Sequence, residues 1–132
     1  MFHQLGAVAV EIVGNRAVSQ NKMTISARGK LDGVLCEFSC MSRHLDRWEK
    51  REGLWGLVLR ETIYDRDRLF AVVPGETVSL DESRFASFPE AYRGLGYLLS
   101  ALGHPVATDL PVFGGALEQD RLAEANGWLS QA

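Results

Sequence analysis

The sequence predicts an α+β fold, a curved antiparallel sheet of about four long strands followed by two C-terminal helices. Three observations predict it. β-Prone runs fill the first half and are separated by the turn dipeptides Gly14-Asn15, Asp32-Gly33 and Glu52-Gly53. Turns this short join antiparallel neighbours and leave no room for a crossover helix. Helix-period patterns appear only beyond Pro74.

The first strand covers residues 5–13, a run rich in Ala, Val and Ile. In the second, residues 16–29, apolar positions change parity between Val18 and Met23, which predicts a bulge. Residues 34–51 form a third strand, long enough to bend strongly. A fourth spans residues 54–64, with Trp55, Leu57, Leu59 and Ile63 at alternate positions. The cluster Asp65-Arg66-Asp67-Arg68 reads as a solvated turn before a brief apolar run, residues 69–73, which Pro74-Gly75 ends. Ser87 and Glu90 have capping-box spacing with Pro89 in the first turn, and Tyr92, Leu95, Leu99 and Leu102 carry the helix to its stop at Gly103 and Pro105. Residues 105–115 read as an ordered connector. Leu122, Ala125, Trp128 and Leu129 then stripe a terminal helix. The expected organisation is one domain over residues 1–132, with the sheet in 1–73 and a helical extension in 74–132.

Composition narrows the function classes. Hydrophobic residues make up 46% and charged residues 23%, as in an ordinary globular chain able to bury its own core. A net charge of -3, a pI near 5.6 and no Lys/Arg-rich run give no expectation of a nucleic-acid partner. No apolar run approaches the roughly 18 residues needed to span a bilayer. With no basic-then-apolar start either, a cytoplasmic protein without a membrane partner is expected. Cys36 and Cys40 fall on one strand face roughly 13 Å apart, too far to bridge, and are expected to be free thiols. Their spacing, without a second ligand pair, gives no metal site. Gly114-Gly115 lacks the following Lys-Ser/Thr of a phosphate loop, and no nucleophile elbow is present. No cofactor is expected.

Two stretches resemble a known family. Ser42-Arg43-His44-Leu45-Asp46-Arg47, followed by Glu52-Gly53-Leu54-Trp55 and Arg60, resembles the paired-strand signature of SnoaL-like proteins, in the nuclear-transport-factor-two-like superfamily. There, a G-R-Y-x-D-R type strand precedes a D-G-x-W-x-x-x-x-R strand. Phe88-Pro89-Glu90-Ala91-Tyr92-Arg93-Gly94-Leu95-Gly96-Tyr97, continuing through Gly103, Asp109-Leu110-Pro111, Gly115 and Trp128-Leu129, resembles the C-terminal extension of a subgroup. The resemblance implies a cystatin-like cone, shortened here by the helices and hairpin that usually precede the sheet. It also implies polyketide-cyclase, dehydratase or isomerase chemistry, or a non-catalytic partner-binding role.

In lyases of that superfamily a His at the start of the first long strand acts as general base, and His3 falls at the matching position. A neutral imidazole suits proton abstraction beside a carbonyl, because its ordinary pKa lies near 6.5. The Asp that would orient it has no counterpart, since no acidic residue precedes His3. The alternative is an exposed terminal His. His44 stands where the signature has an aromatic and shares strand parity with Phe38, Cys40, Ser42, Asp46 and Trp48. On a pocket face it is a second acid/base group beside pocket residues Phe38, Cys40 and Ser42; otherwise it is a core-edge imidazole bonded to Asp46 or backbone. Arg43, Asp46 and Arg60 match the signature and are read as structural charges. Trp55 is expected at the sheet-helix interface, beside the pocket. His104 is expected to cap a helix or meet solvent.

Two functions follow. One is a cofactor-independent lyase, isomerase or cyclase acting on a hydrophobic cyclic or aromatic small molecule. The other is a binding or assembly module whose concave face is covered by a partner chain. Both imply a homo-oligomer, because a bare apolar face promotes association.

Overall fold

Each of the first three turns has a glycine in left-handed backbone. Asp32 and Gly33 have φ of +47° and +83°, and Glu52 and Gly53 have +51° and +84°, the paired positive values of a tight hairpin. Gly14 stands at +56°. The computed structural model describes residues Met1–Ala132, and these turns connect β1 (Phe2–Val13), β2 (Arg16–Leu31), β3 (Val34–Arg51) and β4 (Leu54–Ala71). The four strands form one antiparallel sheet in the order β1-β2-β3-β4, a meander.

Facing pairs in the register share a face, so the sheet has two distinct sides. Val18, Leu45 and Ile63 point to one side and pack with Ala125 and Leu129 of α3 (Ala116–Ser130), flanked by Leu122 and Trp128. Arg43 ties this side to α3 through a 2.8 Å bond to Glu118, whose other carboxylate oxygen accepts the Gly114 N–H. On the other side, at the far end of the sheet, lie α1 (Glu82–Ala86), a 3-10 turn over Glu90–Tyr92 and α2 (Arg93–Ala101). Tyr92 is sealed, its ring 4.9 Å from that of Tyr64, with its hydroxyl donating to Ala107 O. The Phe88 ring lies so close to α2 that a Cβ on Gly96 would approach it to 2.5 Å. The connector before α3 runs along the β4 edge: the Tyr64 N–H donates to Pro111 O, and the Phe113 N–H donates to Tyr64 O. No helix is long and apolar enough to cross a membrane.

The structure corrects several expectations. β4 does not stop at residue 64 but runs to Ala71, through the supposed charged turn. An extra residue, Asp65, bulges there and sets Asp67 opposite Cys40. β2 is unbroken against β3; the bulge lies in β1, where Gly6 and Ala7 stand against Lys22. The parity change in β2 arises because Val18 faces α3 while Met23 is buried on the opposite face. Three α-helices follow the sheet, not two, since residues 82–86 form α1 with Asp81 as its cap. Ser87 closes α1 instead of opening the next helix, and Pro89 holds extended backbone before the 3-10 turn. His104 donates its backbone N–H to Leu99 O beyond the left-handed Gly103, a Schellman stop, with its side chain exposed.

Candidate functional site

The face opposite α3 collects most of the candidate residues. His44 faces Asn21 and Thr62, Asp46 faces Ser19 and Arg60, and Ser42 faces Met23 and Tyr64. His3 lies within β1 and faces Ile25, which faces Cys40. Strand alternation therefore puts His3, His44, Asp46, Arg60, Ser42, Cys40 and Phe38 on one side of the sheet.

Near its centre, Arg60 grips Asp46 by two parallel bonds of 2.8 Å, Nε to Oδ1 and Nη2 to Oδ2. Asp46 is buried, whereas the Arg60 side chain is 42% exposed. This hydrogen bond holds the guanidinium firmly protonated, above its ordinary pKa. His44 is 6% exposed, and its Nδ1 is sealed without a hydrogen-bond partner. Nε2 has no protein partner either and is not sealed, so it is the ring nitrogen that meets the open face. Burial lowers the imidazole pKa below 6.5; the nearby positive charges of Arg60 and His3 lower it further, against an upward pull from Asp46. His44 is thus a neutral imidazole at pH 7. Trp48 donates its indole N–H to Ser19 Oγ at 2.8 Å.

Around this polar centre the face is apolar and bare. Leu5, Val8, Val10 and Ile12 of β1 share it and are each more than half exposed, and Leu57 of β4 lies exposed opposite Trp48. Trp55 is on the same side but 41% exposed at the hairpin end, not at a sheet-helix interface. The physical reason is reach: α3 packs over Ile63 on the other face, and α2 lies at the far end of the sheet.

The remaining candidates separate from the histidines. Phe38 lines a different cavity of about 260 Å³ beneath α2, with Cys36, Leu69, Leu95, Leu98 and Leu99. Cys40 is fully buried, and burial, helped by Asp67 and Asp65, pushes its thiol up to about 12; it is no nucleophile at neutral pH. Cys36 and Cys40 are both free thiols. The Ser42 hydroxyl is sealed without a partner. Arg43 points to the opposite face, between Gln20, Glu118 and the Phe113 ring.

Sequence reasoning missed two carboxylates. Glu118 is buried in the first turn of α3, and its only trace was an acid at a helix start. Asp67 accepts the Leu95 N–H at 2.8 Å at the start of α2, although its charged neighbours read as a turn. Burial raises its pKa, opposed by the N–H groups of Leu95 and Gly94 and by Arg93.

No family model matches the sequence. Similarity does extend to fungal proteins. "Pea pathogenicity protein 2" of Fusarium vanettenii is 30% identical over 103 residues, covering 77% of this chain and 44% of that protein. A PEP2-like protein of the same fungus is 31% identical over 99 residues, 74% of this chain and 42% of its own length. A protein of Emericella nidulans is 29% identical over 119 residues, 84% and 50% respectively. The chain spans half or less of the length of these relatives.

Proposed function

We propose that this chain supplies the sheet wall of a small-molecule acid-base site of the SnoaL-like kind, with His44 moving the proton. One observation carries the reading: a neutral imidazole turns its open Nε2 to a bare apolar face that His3 and Arg60 share. In this reading the curved sheet is one wall of a cystatin-like cone, and a further segment or chain completes the pocket. The substrate is a hydrophobic cyclic or aromatic molecule with an acidic C–H beside a carbonyl. His44 Nε2 takes that proton, the C–H electrons become the enolate C=C, and the carbonyl π pair moves to oxygen. Where the substrate carries a C=C next to that carbon, the enolate is a dienolate, and return of the proton to its far end moves the double bond into conjugation and isomerises the substrate. Expulsion of a β-hydroxyl, protonated by the imidazolium and released as water, gives a dehydratase. His3 assists from β1.

The test is proton exchange at the α-carbon of enolisable cyclic ketones such as 2-tetralone in heavy water, followed by NMR. The protein should accelerate exchange above the buffer rate, and His44→Gln should abolish the acceleration. Exchange that the variant leaves unchanged would remove His44 from the chemistry.

A second reading is favoured by β1 itself. All twelve of its residues are exposed, with an apolar stripe and an open backbone edge. A strand of this kind is a template for pairing or covering. The chain is then an assembly module, with a second copy over the histidine face.

A further inference from the structure

Resting on the acid-base reading, we infer that Arg60 is the anion anchor of the site and that its ligand is a cyclic or aromatic molecule bearing a carboxylate or other anionic oxygen. The bidentate grip on Asp46 uses only Nε–H and one Nη2–H. A guanidinium has five N–H donors, so three remain, and none has a protein acceptor. The fork also fixes the side chain: Asp46 is buried and holds the guanidinium at two points, so the free donors are oriented before a ligand arrives. Preorganised donors of this geometry favour a planar carboxylate over a neutral oxygen.

The distribution of charge on the face points the same way. Asp46 has both oxygens occupied by Arg60. The next carboxylate on this side, Asp67, is turned to α2 at the far end. Register places Glu11, Glu37, Glu49 and Glu61 on the opposite face, with Val18, Arg28, Arg16 and Leu45. What else the register sets on this side near Arg60 is uncharged: Ser19, Thr62, the neutral His44 and apolar Leu57, with His3, Val8 and Val10 across the sheet on β1. Nothing on this surface competes for the guanidinium. His44 is its diagonal cross-strand neighbour, so an anion held by Arg60 brings the attached ring over Nε2.

The experiment titrates the protein with 2-naphthoate and with its neutral isostere 2-naphthamide, following backbone amide and His44 ring signals by NMR. Naphthoate should shift His44 and the amides around Asp46 and Arg60, with an affinity at least about tenfold above that of naphthamide. Arg60→Lys keeps the charge beside Asp46 but loses the fork; it should reduce naphthoate affinity about tenfold and leave naphthamide binding unchanged. If that variant fails to fold, the affinity ratio on the unmodified protein still decides. Equal affinities, or naphthoate shifts centred on Lys50 and Arg51, overturn the anchor. Naphthamide binding at His44 without a naphthoate preference overturns the anchor and leaves the pocket reading standing. A naphthoate preference combined with unchanged ketone exchange in His44→Gln supports the anchor and removes the acid-base reading. Binding of neither compound overturns both.

Discussion

Arg60 and Asp46 meet because β4 contains one residue too many. Continued without a break from the Arg51–Leu54 pair, the ladder would set Asp46 against Leu59; the extra Val58 brings Arg60 opposite instead. A buried carboxylate thereby acquires both its hydrogen bonds from one side chain. Arg60→Met leaves that carboxylate uncompensated and is expected to destabilise the fold by about 2–3 kcal/mol. Asp46→Leu combined with Arg60→Met should recover much of the loss, since apolar pairs often replace buried ion pairs without penalty. Urea denaturation of the single and double variants measures both.

His44 is expected to titrate below 6.5, with burial as the main cause and Arg60 next. Arg60→Met removes a nearby positive charge and frees the negative charge of Asp46, and both changes raise the imidazole pKa. The sign for stability follows from proton binding. The unfolded chain holds a proton on this His at pH values where the folded chain does not, so stability falls as pH drops through the window just below 6.5. Ring-signal titration by NMR gives the midpoint; a value above 6.5 in the unmodified protein would contradict the burial argument.

Asp67 acts in the opposite direction. Its folded pKa is raised above 3.8, so the folded state binds the proton more readily, and this group's contribution falls as pH rises from 3.8 through the folded value. Asp67→Asn retains an oxygen to accept the Leu95 N–H and has no charge to bury. The expected outcome is a flatter pH-stability profile above 3.8, read by thermal denaturation across a pH series.

Leu45 sits where β3 meets α3, 1% exposed among Val18, Ile63, Ala125 and Leu129. Leu45→Ala should cost about 2–5 kcal/mol, the range for deleting a buried leucine side chain. Leu102→Ala, on an exposed side chain just after α2, should stay within about 0.5 kcal/mol. Equal losses in the two variants would mean that α3 does not pack on the sheet.

The hairpins were legible because two-residue turns with positive φ impose glycine and local polar residues, and Asp32-Gly33 and Glu52-Gly53 meet that demand within a dipeptide. The shared face of His44, Asp46 and Phe38 was legible from strand parity alone. Which face a helix covers was not, because parity carries no information about what packs above. Trp55 was therefore expected at an interface and is exposed. The Asp46–Arg60 geometry was hidden for another reason: it depends on the bulge at Val58, and no glycine or proline marks that position. Asp67 was hidden similarly, because its three charged neighbours, Asp65, Arg66 and Arg68, suggest solvent while the bulge at Asp65 turns it beneath α2.

The exposed stripe of β1 leads to the final prediction. Val8 and Val10 face the same side as His44 and are 57% and 56% exposed, and no helix packs above them. Covering them with a second copy would remove apolar area from water at about 25 cal/mol per Å². The protein is therefore expected to run as a homo-oligomer in light-scattering chromatography, and Val8→Lys with Val10→Lys should convert it to a monomer that keeps its circular dichroism. The exposed positions tolerate lysine in the isolated chain, so dissociation without unfolding identifies the β1 face as the contact. A monomeric unmodified protein, or a lysine variant of unchanged mass, would exclude this face as the assembly surface and leave it to the small-molecule pocket.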